Sequence, residues 1–295
     1  MEGYQTTTYK IADVRFWVNT PWEEERSKAF VPFIDSAEDA CDWEIAFRPV
    51  NQFEKLENHL FYNELFRVCK KTPDIYVRQY RDEKCNGRVY ASVYTDIGSK
   101  KVTIEYLPEV QKRYFGADKR DFFYITLEKI LLEENALILH AACVDTPYGG
   151  LLFSGVSGTG KSTQADLWCR YGQGRLINGD RPIIKRSSEI WNAYGSPYAG
   201  SSGCHLSENC KIRAIILPKK SNVCELRKIE GAEKFRKVFA NLTLNMWDSE
   251  FVERAGYLTQ ELVSEIPVYE LSCTMEEEAV LTVKTLLNKE CEAWN

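Results

Sequence analysis

Nine consecutive residues hold the densest chemistry in this chain: GVSGTGKST, running from Gly155 to Thr163. They fit G-x-x-x-x-G-K-[ST], the spacing of a loop that wraps the phosphates of a nucleotide. Successive backbone N–H groups in such a loop point inward, and the helix that follows adds partial positive charge at its N-terminus. Gly155, Gly158 and Gly160 let the chain turn and approach an anion closely. Ser157 and Thr159 complete the loop, Lys161 is placed to reach the β and γ phosphates, and Ser162 to coordinate Mg2+. Thr163 is a further phosphate contact. ATP and Mg2+ are the expected ligands.

A metal held by such a loop needs an acid from a nearby strand end. Asp180 closes the strand-like piece RLINGD just after the loop helix, so it is the candidate second magnesium ligand. Asn178-Gly179-Asp180 is equally good turn chemistry. His140, in ALILHAACV before the loop, reads from its strand as a core histidine bonded to backbone, with an imidazole that titrates near working pH. Arg181 either stabilises transferred charge or forms a salt bridge. In YGSPYAGSSG, residues 194–203, the amides and hydroxyls of Gly200, Ser201, Ser202 and Gly203 form a candidate substrate loop. Cys204, His205 and Cys210 are the only metal-like cluster, and their spacing fits no common zinc pattern.

These residues need a strand before the loop and a helix after it. LLFSG supplies the first and KSTQADLWCRY, ending near Gly172, the second. DTPYGG is a short turn joining ALILHAACV to LLFSG, so these two strands should be antiparallel. RLINGD, RPIIKR and EIWNAYG read as short extended pieces, and KIRAIILP as a buried strand. Farther on, AEKFRKVFANLTLNMW and SEFVERAGYLTQELVSEI read as amphipathic helices and PVYELSC as a strand. TMEEEAVLTVKTLLNK reads as a last helix with Thr274 as its N-cap.

The N-terminal part has another character. VRFWV, WEIAFRPV, DIYVRQY, RVYASVYTD and KVTIEYL are rich in β-branched and aromatic residues with period-two alternation, which predicts an antiparallel β meander. Asn86-Gly87 and Ile97-Gly98-Ser99 are its expected turns, and a helical stretch is expected around Phe53 to Cys69. RDFFYITLEKILLEE, 120–134, has helical spacing and leads into the second part. The expected division is 1–115, a β-rich region, and 116–295, a nucleotide-binding domain.

The run from His140 to about Leu217 resembles the catalytic domain of HPr kinase/phosphorylase, a bacterial serine kinase of the phosphoenolpyruvate carboxykinase-like group. Three features carry the likeness: the histidine strand LHAACV joined by a short turn to the strand entering the loop, GVSGTGKST itself, and the acidic turn INGDRP. YGSPYAGSSG leading into KIRAIILP looks like a further shared arrangement. The resemblance spans roughly residues 130 to 290 and leaves the N-terminal region uncovered. It implies an α/β (α+β) fold with a mixed-sheet P-loop kinase core, and phosphoryl transfer from ATP to a hydroxyl. One departure stands out. The family's acidic turn has two adjacent aspartates, a candidate base and a magnesium ligand, where this chain reads Gly179-Asp180. Asp180 matches the metal-associated one, the base is missing, and His140 is the candidate to substitute in part.

Composition narrows the partners. The chain has 38 Lys plus Arg against 43 Asp plus Glu, with no basic stripe, so nucleic acid is not an expected partner. No apolar run approaches the ~20 residues of a membrane-spanning helix. The ten cysteines are scattered without a C-x-x-C, and the chain opens on a polar segment. A cytoplasmic protein with free thiols, and no membrane partner, is expected. The leading expectation is a kinase acting on a hydroxyl of a small molecule, peptide or protein. A nucleotide-responsive binding protein with decayed catalysis is the alternative, and carboxykinase chemistry ranks lowest. The sequence does not fix an oligomeric state.

Overall fold

The computed structural model describes residues 4–21, 28–37, 40–82, 87–115 and 126–292. The chain divides into two compact units, Met1–Glu134 with Asn245–Ser249, and Asn135–Leu244 with Glu250–Asn295. The boundary therefore falls at 134/135 instead of 115/116, and a five-residue piece from far along the chain joins the first unit.

The first unit is built on one eight-stranded sheet. Its strands are β1 (Gln5–Ile11), β2 (Val14–Thr20), β3 (Trp43–Pro49), β4 (His59–Tyr62), β5 (Phe66–Lys70), β6 (Ile75–Arg81), β7 (Val89–Asp96) and β8 (Lys101–Tyr106), in the order β1-β2-β3-β8-β7-β6-β5-β4. Period-two alternation does what it should: in β2, Val14, Phe16 and Val18 are buried while Arg15, Trp17 and Asn19 are less so. From β4 to β8 the strands follow one another antiparallel, as a meander. The meander stops there, because β3 pairs parallel with both β2 and β8. Two short helices, α1 (Gln111–Tyr114) and α2 (Leu127–Glu133), complete the unit. Of the helix expected over 120–134, residues 120–125 lie outside the described residues, as does Asn86 of the expected Asn-Gly turn.

The helical stretch expected around 53–69 is instead the hairpin of β4 and β5. The Asn63 side chain decides it: Oδ1 accepts the N–H groups of Leu65 and Phe66, at 2.9 and 2.8 Å. That local bond fixes a turn and breaks helical continuity.

The second unit carries β9 (Ala136–Ile138), β10 (Ala141–Thr146), β11 (Gly149–Ser154), α3 (Lys161–Tyr171), β12 (Arg175–Asn178), β13 (Ile183–Ser187), β14 (Ile190–Tyr194), β15 (Asn209–Lys220), β16 (Glu225–Ile229), α4 (Gly231–Phe239), α5 (Ser249–Glu265), β17 (Val268–Cys273) and α6 (Glu277–Glu292). The sheet runs β12-β10-β11-β15-β14-β13-β9, with β17 also on β15 and β16 on β17. It is mixed: β10 and β11 form the antiparallel hairpin expected from DTPYGG, while β11 and β17 both run parallel to β15. The fold is thus α+β with large mixed sheets. The core gathers Val144, Leu151, Phe153, Trp168, Ile216 and Leu271, so α3 is held against the hairpin that feeds it. Burying such side chains contributes roughly 1.5–3 kcal/mol each.

Three local expectations shift. ALILHAACV is two strands, broken at His140. The α4 helix ends at Phe239, well before Trp247, because the chain leaves it to bond elsewhere: Asn241 O accepts the His140 N–H at 2.8 Å, and Thr243 N–H donates to Ile138 O at 2.9 Å. The α6 helix begins at Glu277, and Thr274 does not cap it; its carbonyl accepts from Gln164 Nε2 at 3.3 Å. Among the described residues no helix is long and apolar enough to cross a membrane.

Candidate functional site

The glycine loop joins β11 to α3, as its flanking patterns require. The β11 strand ends at buried Ser154, whose Oγ donates to His140 O at 3.0 Å and so ties the strand to the break between β9 and β10. Gly158 and Gly160 have φ of +83° and +103°, and a Cβ on either would meet nothing within 4 Å. The requirement there is backbone conformation, and the space before the loop is open. Lys161 is the first residue of α3. Its ammonium donates to Gly155 O at 2.8 Å and Val156 O at 3.2 Å, bracing the loop from inside. Burial lowers the Lys161 pKa and Asp180 partly opposes it.

Asp180 is aimed by Asn178. This buried side chain accepts the N–H groups of Asp180 and Arg181 on Oδ1, at 3.0 and 2.7 Å, while its Nδ2 donates to Ser196 O and Tyr198 O at 3.1 and 3.2 Å. One asparagine thus fixes the acidic turn and ties it to the glycine-serine loop. His140 Nε2 lies 3.3 Å from Asp180 Oδ1, and Arg181 Nε lies 3.5 Å from Asp180 Oδ2. Arg181 Nη1 also donates to Thr243 Oγ1 at 2.6 Å. Burial lowers the His140 pKa, Lys161 lowers it further, and Asp180 raises it in part.

A cleft of about 310 Å³ gathers most of the residues marked in the sequence. His140, Ser157, Gly158, Gly160, Lys161 and Ser162 line it, and so do Thr163, Gly179, Asp180 and Ser201. Gly155 and Thr159 line instead a second cleft of about 470 Å³, with Lys219 and Arg236. Gly200 to Ser202 form a single 3-10 turn ending at Gly203, and Ser202 Oγ donates to Ala199 O at 2.6 Å. Cys204, His205 and Cys210 are not drawn into one ligand set: Cys204 Sγ lies 3.3 Å from Leu176 O, while Cys210 Sγ sits 3.7 Å from Cys143 Sγ. Among the described residues no group of three or more His, Cys, Asp or Glu could hold a metal ion.

The sequence missed three participants. Asn178 was legible only as half of an Asn-Gly turn, because its partners at 196 and 198 are distant in the chain. Lys220, the last residue of β15, and Met275, just past the end of β17, also line the cleft, and nothing local marks them.

The Gly179 position has a steric reason. A Cβ there would lie 2.2 Å from Ser202 Oγ and 2.5 Å from Ser202 Cβ. The turn of the glycine-serine loop fills the space a side chain at 179 would need.

No family model matches the chain, and no curated protein matches it. Among solved structures it is similar to the HPr(Ser) kinase/phosphatase of Coxiella burnetii, at 12% identity and a TM-score of 0.34, over 53% of this chain and 92% of that one. At that level the likeness is weak, and what the site can do follows from its own residues.

Proposed function

We propose that this protein is an ATP- and Mg2+-dependent kinase that transfers the γ-phosphoryl group to a serine-type hydroxyl on a small molecule, peptide or protein. The observation that supports this best is the convergence, in one cleft, of the glycine loop, Lys161, Ser162 and the His140–Asp180 pair.

The donor set suits magnesium. Mg2+ takes few protein ligands, usually one or two oxygens, and keeps waters and substrate phosphates for the rest. The Ser162 hydroxyl and the Asp180 carboxylate would hold it, and when bound it would neutralise charge on the phosphates. Lys161 would exchange its two loop carbonyls for phosphate oxygens. His140 Nε2 lies 3.3 Å from Asp180 Oδ1, and burial, with Lys161 nearby, lowers the ring's pKa, which favours the neutral imidazole near neutral pH. His140 would accept the proton of the attacking hydroxyl. Phosphoryl transfer draws mainly on positioning and charge stabilisation, so the missing second acid is not prohibitive.

The test is transfer of label from γ-labelled ATP with Mg2+ to serine, serine peptides or a cell extract, beside Lys161→Ala and Asp180→Ala. Loss of transfer is expected in both variants, with the fold retained; undiminished turnover in Lys161→Ala would overturn the reading. The filled space at Gly179 favours one second reading, a nucleotide-responsive binding protein with weakened catalysis. That reading gains if MgATP binds tightly and no acceptor is labelled.

A further inference from the structure

The acidic turn and the glycine-serine loop are one assembly. Asn178 bonds both of them, and Gly200 lies so close to Asp180 that a Cβ would sit 2.9 Å from Asp180 Cβ and 3.0 Å from its Cγ. Ser202 occupies the space beside Gly179, and its hydroxyl is committed, donating to Ala199 O and accepting the Cys204 N–H at 3.2 Å. Ser201 is exposed and stands on the wall of the same cleft as Lys161, Ser162, His140 and Asp180. The other hydroxyls on that wall, Ser157, Ser162 and Thr163, stand on the loop and helix start that would hold phosphate. Ser201 comes from the acidic turn's side, following Gly200, which packs against Asp180.

We infer that Ser201 is itself a phosphate acceptor, modified by the nucleotide held in its own cleft. This rests on the kinase reading above. The Ser201 Oγ–H bond breaks and its proton passes to water in the open cleft. A bond forms between Oγ and the γ-phosphorus as the bond from that phosphorus to the β–γ bridging oxygen breaks. The nucleoside diphosphate leaves with the electron pair. The product phosphoserine places its charge in a cleft that contains Lys161 and Lys220, where it competes with the phosphates of a second nucleotide.

Purified full-length protein incubated with γ-labelled ATP and Mg2+, with no added acceptor, tests this through peptide mapping and the labelling rate. The expected result is one phosphoryl group per chain on Ser201, with a rate constant independent of protein concentration. Ser201→Ala loses the label, Ser201→Thr carries it as phosphothreonine, and the labelled protein binds a fluorescent ATP analogue more weakly than the unlabelled protein. Because Ser201 is exposed, both variants should melt as the parent does. An unlabelled Ser201 in protein that binds the analogue overturns the inference, and the kinase reading survives if another acceptor is labelled. A rate constant that rises with protein concentration also overturns it. Failure to bind the analogue at all would remove both.

Discussion

Gly179 precedes Asp180 in the acidic turn, and crowding explains why no side chain stands there. Its missing side chain leaves room for Ser202, so the glycine and the serine loop are complementary. Gly179→Asp is therefore expected to destabilise the protein by about 1–3 kcal/mol, the usual cost of forcing atoms into filled space. Under the proposed function it should also lower phosphoryl transfer, because the turn carrying Ser201 must shift. A urea melt and a transfer assay check both parts; a stable variant with raised turnover would contradict them. At this scale the sequence was legible where residues are contiguous: the glycine loop from Gly155 to Ser162 could be placed between its strand and its helix from spacing alone. The meeting of His140 with Asp180 is 40 residues apart in the chain, so pattern could propose each residue without showing that they touch. The role of Asn178 was hidden for the same reason.

Among the elements, those that hold the glycine loop were readable because local signals and tertiary demand agree. KSTQADLWCRY has helical spacing, and the fold presses that same face onto β10 and β11 through Trp168, which is fully buried. The β16 strand was not readable. ELRKI is mostly charged, and it becomes a strand because β17 offers it a ladder and because its charges find partners. Arg227 Nη2 lies 2.9 Å from Glu233 Oε1 of α4 and 3.4 Å from Glu270 Oε1 of β17, and Lys237 Nζ lies 2.7 Å from Glu270 Oε2. The hydrogen bond from Arg227 holds Glu233 at a pKa of about 2 against an ordinary 4.5, and the bond from Lys237 lowers Glu270 likewise. Depressed carboxylate pKa values mean that the folded state binds fewer protons than the unfolded one. Their contribution is thus fully present above 4.5 and is lost as pH falls towards about 2. Solvent exposure keeps the effect small and sensitive to salt. A Glu233→Gln, Glu270→Gln double variant should unfold slightly earlier than the parent near neutral pH, and the difference should vanish in acid. A gap that widens on acidification would show that the network does not work this way.

For the whole molecule, the division into two units was visible as a change of character between β-rich and alternating sequence, but its position was not. Helical spacing over 120–134 led naturally into the second part, whereas α2 packs with the first unit. There Lys129 Nζ makes a 2.8 Å ion pair with Asp248 Oδ2, and the two side chains are only 6% and 4% exposed. The pair helps to hold the short piece Asn245–Ser249, which runs from the α4–α5 connection into the first residue of α5, in the first unit. No local pattern could announce a partner 119 residues away. Lys129 also lies 4.2 Å over the Tyr76 ring, so the ammonium is held between an anion and a π face. Removing one member of a buried ion pair strands the other charge and typically costs about 3–5 kcal/mol, whereas replacing both by apolar groups is often neutral or stabilising. Lys129→Met should accordingly lower the urea midpoint strongly, and adding Asp248→Leu should recover most of the loss. Trp247, next to Asp248 and 6.4 Å from the Tyr76 ring, provides a fluorescence signal at the affected place. If the single variant unfolded at the parent's midpoint, the pair would not be what anchors the inserted piece. If the double variant were as weak as the single one, the cost would lie in lost packing over Tyr76 and not in the stranded carboxylate.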